Sequence, residues 1–315
     1  MPFFSVVIPT CNRVVFLRKA LDSVFAQTFT DYEVIVVDDG SVDETLVVVE
    51  RIGGSIRLFS QENRGQGAAR NLGLQKAEGK YIAFLDSDDI WFTWTLSIYH
   101  EVIWKSGCPA FVAGTEIPFV NTHPCPEMGG LDICRGRCYD DYLSLGNEAP
   151  WVPPSATAIR RDVLLQAGGF SEERMNYEEC DLWLRLGIAR GFVRVEDPPL
   201  VARRVHPGNI TSQANNNLRG IQHMLESEQR GRYPGGRERQ IDRIRVITRH
   251  LRPFSVACVR AMRIRHGLSL YVDSLWWHFR LGRYKYVFTF PIFIIFSVAS
   301  TLIARAIPRQ GHTHE

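Results

Sequence analysis

Three groups of carboxylates stand out, two of them where apolar runs end. FLDSDD at 84–89 places Asp86, Asp88 and Asp89 within four positions, VVDDGS at 36–41 ends on Asp38 and Asp39, and EECD at 178–181 brings Glu178, Glu179 and Asp181 to the start of an amphipathic run. Crowded carboxylates repel one another until a cation joins them. A hard divalent cation takes carboxylate and phosphate oxygens together and neutralises charge gathering on a departing diphosphate. A single Asp is well explained as a helix cap or turn former; three at one strand end are not, since a cap needs one. Acids in a first helical turn favour the dipole, which is the bland account of Glu178–Asp181. The sharper account is a base that takes a proton from a hydroxyl. Arg203, Arg204 and His206 gather beside the Pro207–Gly208 turn, a basic edge for a diphosphate or for solvent. NRGQGAARNLG at 63–73 lacks the GxGxxG spacing, yet its loop and Arg70 offer backbone N–H groups and charge to an anion.

These groups need elements to hold them. FSVVI at 4–8 is a short apolar run stopped by Pro9, and 14–27 follows with Leu17, Leu21, Val24 and Phe25 on one side. Strands are expected again in YEVIVVDD, at 56–61 and at 81–86, with helices over 43–52 and 67–77. Strands rich in Val, Ile and Phe that alternate with helices predict an α/β fold with a mainly parallel sheet covered on both faces. In such sheets ligands sit at the carboxyl ends of strands, where the acids are. Residues 108–150 read as loop, with five prolines; 151–170 reads as extended chain and then a helix from Asp162; 176–191 reads as a helix. His123, Cys125, Cys134 and Cys138 are zinc-compatible types, but their spacing fits none of the usual closed sites. Unpaired, partly buried cysteines are the preferred reading.

The chain has 315 residues, 45% hydrophobic and 23% charged, enough for one large domain with an appendage. Seven scattered cysteines and an N-terminus without a basic leader predict a cytoplasmic location with reduced thiols. The net charge of +3 conceals a division: residues 1–229 carry a net −9, and residues 230–285 a net +11. Residues 286–304 then carry no charge. A basic segment followed by an apolar one predicts a membrane surface as partner, and no nucleic acid.

VVIPTCNR at 6–13, QTFTDYEVIVVDDGSVDET at 27–45, NRGQGAARNLG, YIAFLDSDD at 81–89, SATAIRRDVLLQAGGF at 155–170, EECDLWLRL at 178–186 and RVHPGNITS at 204–212 closely resemble, in order, the inverting family 2 glycosyltransferases of GT-A fold, of the kind that build bacterial cell-surface polysaccharides. The likeness covers about residues 3–212. It implies that Pro9, Thr10 and Arg13 border the nucleotide, that Asp39 bonds the base, usually uracil, and that Arg70 lies near base or phosphates. Asp86 and Asp88 fall on the metal-binding DxD, with Asp89 as a substitute ligand for Mg²⁺ or Mn²⁺. Glu179 stands where relatives carry the Asp of their Glu-Asp pair, the catalytic base; its side chain is one methylene longer, and Asp181 is the second candidate. Arg204 and His206 fall near the phosphates. The QxxRW motif of processive synthases is absent, which favours addition of a single sugar.

The domains expected are therefore a glycosyltransferase domain over 1–229, a basic helical extension over 230–285, and an apolar helix over 286–307. Trp276, Trp277, Phe279, Tyr284 and Tyr286 crowd just before the uncharged run, as in an interfacial belt. That run crosses the membrane, lies along its inner surface, or packs as a buried helix; its 19 residues sit near the lower limit for a span. Membrane attachment is preferred, with the catalytic body at the inner face of the cytoplasmic membrane. The expected reaction moves one sugar from a nucleotide-diphospho-sugar, first a UDP-sugar, to a hydroxyl of a glycan or lipid-linked acceptor. The alternatives are an inactive sugar-nucleotide-binding scaffold and, further off, a nucleotidyltransferase.

Overall fold

The structure is a computed structural model that describes residues 1–53, 55–120, 134–148, 151–206 and 214–306. It divides into two compact units: residues 1–220 with 233–235, and residues 221–232 with 236 onward. The division falls inside one helix, α7 (Ala214–Gln229).

The first unit is built on β1 (Phe4–Thr10), β2 (Tyr32–Asp39), β3 (Ile56–Gln61) and β4 (Tyr81–Phe84), with α1 (Val14–Phe25), α2 (Thr45–Ile52) and α3 (Gln66–Lys76) between them. All seven residues of β1 are buried, as a central strand of a parallel sheet requires. Beyond β4 come β5 (Ile90–Trp91), α4 (Thr95–Lys105), β6 (Phe111–Ala113), β7 (Glu116–Phe119), β8 (Arg135–Tyr139), β9 (Thr157–Arg160), α5 (Arg161–Gln166), α6 (Glu178–Arg185), β10 (Phe192–Asp197) and β11 (Val201–Arg204). The main sheet runs β3-β2-β1-β4-β9-β6-β10-β8. It is parallel from β3 to β4 and again between β6 and β10, while β9 is antiparallel to both its neighbours and β8 to β10. The α/β fold and largely parallel sheet are thus as expected. A second sheet, β5-β11-β7, lies outside it.

Two stretches depart from expectation. The described residues of 108–150 include three strands, β6, β7 and β8, which the prolines had hidden. The helix expected over 176–191 spans only Glu178–Arg185, entered from Tyr177 at φ +66°. A left-handed tyrosine is costly and persists only where its surroundings hold it. Gly220 supplies part of that hold, since a Cβ there would fall 1.7 Å from the Asn176 carbonyl oxygen.

Aliphatic and aromatic side chains of β1, β2, β4, α1 and α4 form one continuous core, from Phe4, Val6 and Ile8 to Leu96, Tyr99 and Ile103. α3 packs closely: a Cβ at Gly73 would lie 2.4 Å from Val7 Cγ1, so helix and strand meet with no room for a side chain.

The second unit contains the end of α7, α8 (Gln240–Arg260), α9 (Ile264–Arg280) and α10 (Tyr284–Ala306). Val259, Tyr271, Tyr286 and Phe290 form its small core. Among the described residues no helix is long and apolar enough to cross a membrane. The crossing arrangement therefore has no support there. α10 instead buries Tyr286, Val287 and Phe290 and leaves Phe288, Ile292, Ile295 and Phe296 exposed.

Candidate active site

β4 ends at Phe84, and Leu85 and Asp86 continue into the turn that carries the acids. The three aspartates are not equivalent. Asp86 and Asp88 keep 29% and 19% of their side chains exposed. Asp89 is only 4% exposed, and its oxygens accept from Ser155 Oγ at 2.7 Å and the Arg204 backbone N–H at 3.0 Å. Burial, together with the charges of Asp86 and Asp88, pushes its carboxyl well up. Expected as a substitute metal ligand, Asp89 is placed as the buried strut of the turn. Arg204 is part of the same strut: its Nε donates to the Asp88 carbonyl at 2.9 Å, and its guanidinium lies over Phe16 and Phe119.

Arg70 joins two of the acid groups. Nearly fully buried in α3, it donates to Asp86 Oδ1 at 2.6 Å and to Glu178 Oε1 at 2.7 Å. Gln66, one turn earlier, also donates to Glu178 Oε1. The paired carboxylates raise the Arg70 pKa against the opposing effect of burial, so the guanidinium stays charged.

His206 lies between Asp88 and Arg13. His206 Nε2 lies 2.9 Å from Asp88 Oδ2 and 3.3 Å from Arg13 Nη1. Its ring also sits 5.1 Å from that of Phe16. Pro9 and Thr10 close β1, and the Thr10 hydroxyl is buried without a hydrogen-bond partner among the described residues.

Asp39 shapes the glycine loop. Its Oδ1 accepts from Gln61 Nε2 at 2.7 Å and the Arg64 N–H at 2.8 Å, and its Oδ2 from the Gly65 N–H at 2.8 Å. Two amides of the loop, expected to face an anion, are directed to this carboxylate instead. Oδ2, with a single bond, retains a lone pair for a further donor such as a base N–H.

Among the described residues Glu179 forms no ion pair with these cations, though the charge of Arg70 reaches it. It is 8% exposed and accepts from the Trp151 indole Nε1 at 3.2 Å. Burial, and after it the charge of Glu178, pushes its carboxyl up to about 8. Asp181 is held on both oxygens, by Tyr233 Oη at 2.8 Å and Arg185 Nε at 2.9 Å. It anchors α6.

Among the described residues no three His, Cys, Asp or Glu side chains cluster tightly enough to hold a metal ion by themselves. Mg²⁺ and Mn²⁺ do not need such a cage: one or two carboxylates suffice when substrate phosphates and water complete the shell. Two part-exposed carboxylates beside a buried third fit that requirement. Of the cysteine set, His123 and Cys125 lie outside the described residues, Cys134 is half-buried next to β8, and Cys138 is exposed.

Sequence reasoning missed Trp151, Ser155, Gln66 and Tyr233. Gln66 and Ser155 stand inside stretches already singled out, so their polarity was a usable signal. Trp151 and Tyr233 meet their acids across 28 and 52 residues, and no local pattern marks them.

Residues 5–166 match the family described as Glycosyl transferase family 2. An uncharacterised glycosyltransferase of Rickettsia prowazekii is 41% identical over 220 residues, covering 69% of this chain and 68% of the relative. One from Rickettsia conorii is 44% identical over 216 residues, covering 66% of this chain but 33% of the relative, so the chain spans about a third of that protein. Among solved structures, S. aureus TarS 1-349 in complex with UDP-GlcNAc superposes with a TM-score of 0.58 at 18% identity, covering 89% of this chain and 92% of that one. The mannosyltransferase PcManGT from Pyrobaculum calidifontis, in complex with GDP-Man and Mn²⁺, gives 0.56 at 18% identity, with 96% and 87% covered. At such identities these two likenesses speak for the fold alone. With its strand-end acids, its central sheet and the match over residues 5–166, the chain belongs to glycosyl transferase family 2, with the GT-A fold.

Proposed function

We propose that this chain transfers one sugar, with inversion, from a nucleotide-diphospho-sugar to a hydroxyl of a glycan or lipid-linked acceptor at the inner face of the cytoplasmic membrane. A UDP-sugar is the first candidate donor. One observation carries the reading: two part-exposed aspartates beside Arg70 and His206 are opposed in character to a buried glutamate whose carboxyl is pushed up to about 8. The first group suits a leaving diphosphate; the second suits a proton acceptor.

In this reading Asp86 and Asp88 hold Mg²⁺ or Mn²⁺, which supplies positive charge to the diphosphate when bound. Arg13 and His206 border the phosphates and stabilise charge that grows in the transition state. Asp39 takes the base and fixes the loop that carries Arg64 and Gly65. Glu179 accepts the acceptor's hydroxyl proton on a carboxylate oxygen, and the Trp151 N–H orients that carboxylate. The acceptor oxygen bonds to the anomeric carbon as the bond to the diphosphate breaks, and the diphosphate leaves with the electron pair. Attack from the face opposite the leaving group inverts the centre.

A donor screen tests this. Membranes with a lipid extract are supplied with labelled nucleotide sugars, with and without Mn²⁺. Transfer or slow hydrolysis of one donor, lost in Asp88→Asn, is expected. Firm nucleotide binding without turnover of any donor would mark the chain as an inactive scaffold.

A further inference from the structure

We propose that Arg203, held by Glu116, is a positioning residue for the reaction: it fixes the Trp151 indole and, through it, the carboxylate of Glu179. The inference rests on the reading of Glu179 as the base and adds two residues to it.

The small sheet sets the pair. In the parallel register of β7 and β11, Val201 stands opposite Glu116. Arg203 comes two residues later, so its side chain leaves the same face as that of Glu116. Arg203 Nε donates to Glu116 Oε1 at 2.7 Å, and the guanidinium carbon lies 5.6 Å from the centroid of the Trp151 ring. Trp151 Nε1 in turn donates to Glu179 Oε1 at 3.2 Å. Expected as part of a basic edge, Arg203 is thus one link in a run of four side chains that ends in the first turn of α6.

Trp151 needs such a hold. It belongs to no helix or strand. An indole N–H aimed at a carboxylate must keep its orientation, and a ring carried on irregular chain turns about two torsions unless something packs on its face. A guanidinium over the ring supplies that restraint and is attracted to the π face. Glu116 restrains the guanidinium in turn. Its Oε2 is buried without a hydrogen-bond partner among the described residues, so the bond from Arg203 is what answers this carboxylate. Burial, and behind it the charge of Asp86, pushes the Glu116 carboxyl up, while Arg203 draws it down. The run therefore begins within reach of the acids of the β4 turn and ends at the base.

The test uses the full chain and begins without substrate. Trp151 fluorescence, taken as the difference between the native chain and Trp151→Phe, is followed with pH around 8, where Glu179 ionises. Glu178, Tyr177 and Cys180 of the same segment and Arg70 of α3 also act on Glu179 or lie against it, so loss of the titration in Glu179→Gln assigns the signal. Arg203→Met keeps bulk and loses charge; Arg203→Lys keeps a cation over the ring. Arg203 leaves 30% of its side chain exposed, so both variants fold. In Arg203→Met the midpoint is expected to rise, because a bond that favours the ionised carboxylate is loosened; Arg203→Lys should return it toward the native value. With the labelled UDP-sugar accepted in the donor screen, Arg203→Met should lower kcat about tenfold at unchanged donor KM. It should add nothing in a Glu179→Gln background. Two results overturn the inference: a native midpoint in Arg203→Met, whatever its melting temperature, or a Trp151 signal indifferent to Glu179→Gln. Transfer that survives Glu179→Gln sinks the reading of the base instead, whereas transfer lost in Glu179→Gln and untouched in Arg203→Met sinks the positioning role alone.

Discussion

The two units treat arginine in opposite ways. In the α/β unit, buried guanidiniums answer carboxylates: Arg70 lies between Asp86 and Glu178, and Arg185 holds Asp181. The helical unit has one such buried pair among its described residues, Arg243 with Glu228 at 2.6 Å. Arg245, Arg249 and Arg252 act on Arg283 with charge of the same sign, while Arg230 pairs with Glu226, and Arg239 and Arg245 share Asp242. Internal pairing sets positions and protonation states inside a fold.

The sharpest test is Arg70→Ala. It strands Asp86 and Glu178 beside an empty space, and breaking a buried pair in this way costs about 3–5 kcal/mol. Denaturant unfolding should show that loss, and donor binding should weaken with it. A cost below about 1 kcal/mol would mean that the network contributes little and the contrast is superficial.

Glu179→Gln comes next. Removing a general base lowers transfer by about 10²–10⁴-fold and should leave donor binding intact. If transfer persists near the native rate, the base lies elsewhere. In the native chain the rate should rise with pH through about 8, as the carboxyl ionises. Stability moves the other way. Between the unfolded value near 4.3 and the folded value of about 8 the native state binds more protons, so stability falls as pH rises across that window. The Gln variant should escape this decline, gaining melting temperature over the native chain near pH 8 and little near pH 4.

Tyr233→Phe is a smaller perturbation. It removes the hydroxyl that donates to the buried Asp181 Oδ1, at a cost of about 1–3 kcal/mol. An effect on transfer larger than on stability would give Asp181 a part in the chemistry. The smallest effect expected is on the stability of Arg252→Ala, within about 0.5 kcal/mol because the residue is exposed. A loss comparable to that of Arg70→Ala would erase the distinction between the units.

Much of the α/β unit could be read along the chain. The apolar runs of β1, β2, β3 and β4 stand near their expected limits, since a buried parallel strand leaves a continuous apolar signature and α1 leaves a period of 3.6. The strands between 111 and 139 were not legible, because β6 is only three residues long, and Pro118 and flanking polar residues hid the edge strands β7 and β8, whose pairings depend on distant partners. The same boundary runs through the site.

The chain order alone determined which residue types gather at strand ends, and so the family and the class of chemistry. Only the folded arrangement decided what each acid became. Asp86 and Asp88 stay part-exposed, Asp89 is closed off by Ser155 and the Arg204 backbone, Asp181 is tied down by Tyr233 and Arg185, and Glu179 is left in a dry place beside Trp151. A carboxylate's residue type is local, but its charge state is set by burial and neighbours, and those neighbours come from segments far apart in sequence.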